Sequence, residues 1–402
     1  MKTSKISMNI LQVIPVFNPP ELYGGSQQVV YHISKELVSR GHSVTVYASD
    51  IRRVNLGKRV ILSAEKINGF EVVHFRTAST FLSDKLRLIV TPKLKLALEQ
   101  NGRQYDVIHV HELRGFQQIT VCECAKRLKL PYVIHAHGIL GMPRGVLQRL
   151  TDISYVSKIL SNASIAIALT DYEGKQYMRM GVSKNRIRIV PNSIDFADYA
   201  ILPPKGSFRK MFDIEDCEKI ILYVGRIHES KGIDFLVQAF KIISEKLNNV
   251  RLVIIGPDDG YTTSLYRLIS RLGLERRTII TGFVNKNVKL AAFIDSDVFV
   301  TPKFSGFPIT FLESCLIGCP IITTSNELNW INNNIGYVSK LSSESIASAI
   351  IKLLQSEKIN ITFRKNSEQL IKNFDISRVI CQLEKVYEEA VCLAANEDTS
   401  AC

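Results

Sequence analysis

The stretch IILYVGRIHESKG, residues 220–232, decides how the chain is read. Its first five residues form an apolar run that is too short for a helix and ends at a glycine. This is the pattern of a strand buried on both faces of a parallel sheet. A loop follows, bracketed by Gly225 and Gly232, that carries a guanidinium on Arg226 and an ammonium on Lys231. Ligands of open α/β sheets bind beyond the carboxyl ends of the strands, where such a loop lies. Two fixed cations there can neutralise the two phosphates of a nucleotide-sugar. Further on, FSGFPITFLESCLIGCPIITT (residues 304–324) offers a tight turn at Gly306, Phe307 and Pro308 before a helix. The first-turn N–H groups of Ile309 and Thr310 have no partner within that helix and can meet phosphate oxygens. Glu313 is a lone acid among apolar neighbours, and a carboxylate beside a glycine turn can accept both vicinal hydroxyls of a ribose. The combination points to group transfer from an activated sugar.

Outward from this stretch, short apolar runs alternate with helical patterns. KIILYVG, VRLVIIG, TIITGFV, VFVTP and PIITT read as strands, with IDFLVQAFKIISEKL and LAAFIDS as helices. The first half repeats the scheme with NILQVIPVF, SVTVYA, EVVHFR, DVIHVH, YVIHAHG and IAIALT. In SQQVVYHISKELVSRG, Val30, Ile33 and Leu37 recur at helical spacing. The pattern restarts near residue 219, after the polar, proline-containing stretch PNSIDFADYAILPPKGSFRK. The expected fold class is therefore α/β, with two Rossmann-like domains facing across a cleft, the first over 1–195 and the second over 196–376. The C-terminal region reads as two helices, SESIASAIIKLLQ and DISRVICQLEKVYEEAVCLAA, with NEDTSAC frayed.

Bulk properties restrict the class further. A length of 402 residues suits two domains, and 46% hydrophobic content supports a full core. The eight cysteines show no C-x-x-C spacing and read as free thiols of a reducing compartment. No apolar run reaches the roughly 18 residues of a membrane span. MKTSKISMNILQVIPVF lacks a small-residue cleavage site and reads as a first strand, so a cytoplasmic location is expected. Net charge is +13, and residues 1–200 hold 27 basic against 15 acidic side chains. That basic half suits an anionic glycan or peripheral association with an anionic membrane, at the inner face of the cell membrane. Without a zinc motif, a basic-aromatic sheet signature or a basic tail, nucleic acid is not an expected partner.

Two further patterns lie in the first half. Gly24 and Gly25 follow the first strand and open a helix, where paired glycines let backbone approach a phosphate. They lack the three spaced glycines of a dinucleotide fingerprint. His109 and His111 in DVIHVHE and His135 and His137 in YVIHAHG form two i,i+2 pairs. No cysteine or carboxylate joins them at ligand spacing, so no metal site is expected. His137, at a strand end before Gly138, is the one placed to reach a cleft, whereas His109 and His135 read as packing inside the sheet.

GG at 24–25, HG at 137–138, PNSID at 191–195, GRIHESKG at 225–232 and SGFPITFLESCLIGCPIIT at 305–323 occur in one order along the chain. In that order the chain resembles the retaining glycosyltransferases of the GT-B fold, family 4 (glycosyl transferases group 1) type, over essentially its whole length. The resemblance implies a metal-independent transfer, without cofactor, from a nucleotide-diphosphate sugar to a glycan or lipid-linked acceptor. It implies that Gly24 and Gly25 line the donor diphosphate and that Arg226 and Lys231 bind its phosphates and stabilise the leaving nucleoside diphosphate. Glu313 would hold the ribose hydroxyls, the backbone from Gly306 through Phe307 to Ile309 would support phosphate and sugar, and His137 would contact the donor sugar near the reacting carbon. The last helix, about 377–395, would pack back on the first domain. The chain departs from the family pattern at one position. Where the first of two glutamates with seven residues between them is usual, it has the shorter, neutral Ser305. Two other readings fit parts of this picture: a nucleotide-sugar epimerase, and a donor-binding, non-catalytic regulator or scaffold of glycan assembly, to which Ser305 points.

Overall fold

The structure, a computed structural model, describes residues 7–18, 25–51, 64–79, 81, 89–140, 155–332 and 334–399. It divides into two units, Met1–Ser193 with Ile376–Cys402, and Ile194–Asp375. The changeovers thus fall one or two residues before the boundaries expected at 195/196 and 376/377.

In the first unit the strands are β1 (Asn9–Val16), β2 (Ser43–Ser49), β3 (Ala64–Ile67), β4 (Phe70–Phe75), β5 (Val107–His111), β6 (Tyr132–His135), β7 (Ile165–Ala168) and β8 (Ile187–Ile189). They form one sheet in the order β3-β4-β2-β1-β5-β6-β7-β8, parallel throughout except where β3 runs against β4. β1, near the centre, is buried at every position but its first, as an apolar strand covered on both faces must be. It registers Ile10 against Val107 and Gln12 against His109 on β5. The helix Gly25–Ser39 sinks Val30, Ile33 and Leu37 into the core, the positions marked by helical spacing.

The second unit holds β9 (Lys219–Val224), β10 (Val250–Ile255), β11 (Thr278–Gly282), β12 (Val298–Thr301), β13 (Ile321–Thr323) and β14 (Gly336–Val338). These make a wholly parallel sheet in the order β11-β10-β9-β12-β13-β14. β9 sits third, flanked by β10 and β12, so the stretch quoted first is a core strand whose loop opens mid-sheet. Next to it, Gly256 ends β10 with φ +150°, and a Cβ there would lie 1.8 Å from the Gly225 carbonyl oxygen. The two loops can approach this closely only because that side chain is missing. The chain enters and leaves this unit side by side, with Ile194 N–H donating to the Phe374 carbonyl at 2.8 Å.

Three edge strands were not anticipated: β3, β8 and β14 are short and carry no apolar run. The C-terminal reading also needs correction. A helix, Glu357–Leu370, lies between the two expected ones. The last helix runs Ile376–Thr399, so most of NEDTSAC is helical rather than frayed, and its final residues lie outside the described set. That helix belongs to the first unit. Glu384 pairs with Arg40 at 3.2 Å and with His42 at 3.1 Å, and Glu389 pairs with Arg188. No helix among the described residues is long and apolar enough to cross a membrane. Cys122, Cys124, Cys315 and Cys319 are buried free thiols.

Candidate functional site

In the second unit the loops at the carboxyl ends of β9, β10, β12 and β13 meet. The β9 loop is shaped locally: His228 accepts the Ser230 N–H at 3.1 Å and a single 3-10 turn, Glu229–Lys231, carries it to Gly232, with φ +67°, and the Ile233–Lys246 helix. Lys231 is tied to the β12 loop by its carbonyl, which accepts the Lys303 N–H at 3.1 Å. Arg226 projects outward, its side chain 57% exposed, and pairs with Asp259 of the β10 loop. Asp259 and Ile227 are linked through the backbone at 3.0 Å. Both cations therefore stand on a loop that is hydrogen-bonded to its neighbours.

The Ser305–Pro308 turn completes this rim. Ser305 is exposed, and Gly306 donates its N–H to Glu327 at 3.1 Å. Glu327, from the loop after β13, was not singled out by sequence reasoning. Burial raises its carboxyl above the usual range, while the Gly306 N–H, the Ser325 hydroxyl and the nearby Lys231 charge draw it down. It brings a carboxylate to the Ser305–Gly306 turn, although residue 305 itself has none. Phe307 does not offer its ring to a ligand. It is 3% exposed and packs between Trp330 and Phe374, with centroids 5.6 and 5.1 Å away. Phe307 can serve a donor only through its backbone, beside the exposed Ser305 and the start of the Ile309–Ile317 helix, which Pro308 leaves without a side-chain cap.

Glu313 departs from the expected picture of an acid open to a ribose. It is fully buried, and its Oε1 accepts from Lys289 Nζ at 2.6 Å and from the Tyr199 hydroxyl at 3.0 Å. Its Oε2 has no hydrogen-bond partner among the described residues. The expected rule that a buried acid finds a partner holds, and Lys289 and Tyr199 are those partners. The second oxygen is left buried and unpartnered among the described residues.

His137 and Gly25 belong to the first unit, and Gly24 lies outside the described residues. Gly25 opens the Gly25–Ser39 helix with φ +44°, and the next residue, Ser26, donates to Glu112 at 3.1 Å, just beyond β5. After β6 the backbone turns sharply: His137 has φ +55° and Gly138 φ +78°. A non-glycine residue in the left-handed region is uncommon and survives only where its surroundings enforce it. Here one helix, Asp171–Arg179, does so. Glu173, 1% exposed, accepts the Gly138 N–H at 2.6 Å and the Leu169 N–H at 2.7 Å, and the Tyr177 hydroxyl accepts the Ala136 N–H at 3.0 Å. Glu173 and Tyr177 were invisible to motif reading because they work from a remote helix on backbone groups.

The four histidines gather at these strand ends. His109, His111 and His135 are buried, and their ring nitrogens come within 4.8 Å of one another. They stack rather than converge, with His109 and His135 at 7° and His135 and His137 at 21° with centroids 3.8 Å apart. His111 spends both nitrogens on hydrogen bonds, to Gln12 and to His137 at 2.8 Å. The remaining nitrogens are not spent in this way: His135 Nδ1 and Nε2 and His109 Nε2 have no partner among the described residues. Burial holds His109, His111 and His135 well below the usual imidazole value, and His137 at about 3. The cluster is neutral at physiological pH.

The sequence matches the Glycosyltransferase Family 4 model over residues 23–198 and the Glycosyl transferases group 1 model over 205–373. An uncharacterized glycosyltransferase of Methanocaldococcus jannaschii is 27% identical over 76% of this chain and 78% of its own length. Among solved structures, the sucrose-phosphate synthase of Thermosynechococcus elongatus superposes with a TM-score of 0.78 at 19% identity, covering 95% of this chain and 98% of that one. Anabaena HepE, solved in complex with UDP-glucose, superposes with 0.76 at 17% identity, covering 95% and 99%. With two parallel-sheet units and both family models matched in order, the chain belongs to the group 1 glycosyltransferases of the GT-B fold.

Proposed function

We propose that this glycosyltransferase moves a sugar from a nucleotide-diphosphate sugar to a glycan or lipid-linked acceptor, with retention at the anomeric carbon and without a metal or other cofactor. The observation that carries the reading is the β9 loop, which presents Arg226 at its start and Lys231 near Glu327, the residue that holds the Gly306 turn before the uncapped helix start at Ile309. Departure of the nucleoside diphosphate builds negative charge on its outer phosphate and positive charge on the sugar ring. Cations fixed in advance at that phosphate stabilise the transition state more than the ground state. They also supply the charge neutralisation a divalent ion would otherwise give. Glu313 is fully buried, so its Oε2 meets a ribose hydroxyl only if donor binding uncovers it. The Arg226–Asp259 pair exchanges for Arg226–phosphate when donor binds.

The UDP-glucose held by Anabaena HepE supports testing uridine donors first. Thermal shift with UDP, GDP, ADP and their sugar conjugates should raise the melting point for one base, because a ligand of the folded state stabilises it. The rise should vanish in Lys231→Ala. No shift with any of them sinks the donor reading. EDTA is expected to leave turnover unchanged, and NMR of the product is expected to show retained configuration. The basic first half suits an acceptor presented on an anionic surface. Vesicle flotation with and without anionic lipid tests this, and equal recovery would refute it.

A further inference from the structure

A hydrogen-bonded chain crosses the first unit from its last helix to the His137 turn, and no side chain in it belongs to the motifs read from the sequence, apart from the histidines. Tyr387, buried on the C-terminal helix, has its hydroxyl 2.7 Å from His109 Nδ1 and 3.4 Å from Gln12 Nε2. Gln12, fully buried on β1, then directs its Oε1 at His111 Nε2. His111 Nδ1 lies 2.8 Å from His137 Nε2. His137 Nδ1 is buried and has no partner among the described residues.

Each link constrains the next. A carboxamide oxygen can only accept, so His111 carries its proton on Nε2. Its Nδ1 is then a bare lone pair, and the hydrogen of the 2.8 Å contact must come from His137 Nε2. A neutral imidazole has one proton, so His137 Nδ1 is left as an acceptor. The placement of the Gln12 carboxamide sets the direction of the chain: its NH₂ donates to the Tyr387 hydroxyl, which leaves that hydroxyl's proton for His109 Nδ1, and its oxygen faces His111. The His137 acceptor sits without a partner among the described residues, on a backbone held in the left-handed conformation by Glu173 and Tyr177. His109 Nε2 and both nitrogens of His135 are likewise without a partner among the described residues, but those two rings are buried, whereas His137 is partly exposed and is the one an outside partner can approach.

We propose that Gln12 and His111 are positioning residues that fix His137 in its Nε2-protonated form and leave its Nδ1 lone pair as the acceptor for a hydroxyl of the transferred sugar. The sugar half of this assignment rests on the donor reading above; the tautomer half does not. Neutral His137, with its protonation held down to about 3, keeps that lone pair over the whole physiological range. An acceptor aimed at a hydroxyl orients the ring, and orientation of the donor precedes bond breaking.

The test uses the full chain labelled with ¹⁵N-histidine, whose long-range ¹H–¹⁵N spectra separate protonated from bare ring nitrogens. Wild type should show His137 protonated on Nε2 alone. Gln12→Leu should convert His137 to a mixture of tautomers, whereas Gln12→Glu, which keeps an acceptor oxygen at that place, should preserve the wild-type pattern. If Gln12→Leu does not fold, His111→Phe keeps the aromatic stack, removes the acceptor and reads the same coupling. On the donor identified by thermal shift, Gln12→Leu should lower kcat/KM about tenfold, the worth of one ordinary hydrogen bond, with rescue by Gln12→Glu. A wild-type His137 protonated on Nδ1, or a tautomer indifferent to both substitutions, overturns the proposal. A chain that binds no nucleotide-sugar yet shows the expected tautomers removes the sugar assignment and the donor reading while leaving the relay.

Discussion

The two units solve the same problem at the same place, the carboxyl ends of a parallel sheet, with opposite chemistry. In the second unit the side chains are ionic and stand on exposed loops: Arg226 is more than half exposed, and Lys231 lies beside Glu327. In the first unit they are neutral and sealed: His109, His111 and His135 are buried, and the turn at His137 is held through backbone hydrogen bonds. The difference suits the two jobs proposed for them. A diphosphate needs matching positive charge, and exposed loops can present it. A sugar hydroxyl needs one oriented acceptor, which a packed network fixes better than a loop can.

The comparison can be broken most sharply at the cations. Lys231→Ala and Arg226→Ala should each lower turnover by about 10²- to 10³-fold, the usual loss when one preorganised charge at a developing anion is removed. Steady-state rates near wild type in both would strip the second unit of its ionic role. Gly256→Ala tests whether the ionic loops depend on close backbone approach. Its Cβ would meet the Gly225 carbonyl, so a loss of about 3 kcal/mol in urea unfolding is expected, against about 1 kcal/mol for Gly260→Ala, where nothing lies within 4 Å of the added Cβ and only a left-handed φ opposes it.

For the first unit, Glu173→Ala strands the Gly138 and Leu169 N–H groups in the interior. It should cost about 2 kcal/mol of stability, together with a fall in kcat from the released turn. Calorimetry showing an unchanged melting point would mean the turn holds itself. The smallest effect per residue is the acid response. His109, His111 and His135 are neutral when folded, with values depressed below 6.5, and regain the ordinary value when unfolded. Below about pH 6.5 the unfolded chain therefore binds protons that the folded chain refuses. Stability is intact above that pH and declines as pH falls, by about 1.4 kcal/mol per pH unit for each such imidazole. Urea midpoints at pH 7.5 and 5.5 measure it. In His109→Phe the decline should be shallower by one residue's share.

How far the chain could be read depended on what each residue answers to. Strands inside the sheets announced themselves, because a strand covered on both faces must be apolar along its length, as in NILQVIPV and KIILYV. β3, β8 and β14 did not, because an edge strand is apolar on at most part of its surface and is defined by its neighbour's hydrogen bonds. Arg226 and Lys231 were legible because their charges sit between glycines at a strand end. Glu313 was legible as an acid in an apolar helix, yet Lys289, 24 residues away, and Tyr199, 114 away, were not readable as its partners. The Ser305 departure was plain. The carboxylate that Glu327 brings to the same turn comes from another strand's loop, and no local pattern marks it.

Periodicity, strand-end glycines and placed charges are local properties, so the order of residues alone determined the α/β class, the division into two repeated units and the cationic loop. Hydrogen-bond partnership is not local. Gln12, His111, His137 and Tyr387 are joined across as many as 375 positions of chain, and only the packing of β1, β5, β6 and the last helix decides that they meet. The sequence names the groups that can carry charge. Which proton sits on which nitrogen follows from the donors and acceptors that the fold brings within about 3 Å of it.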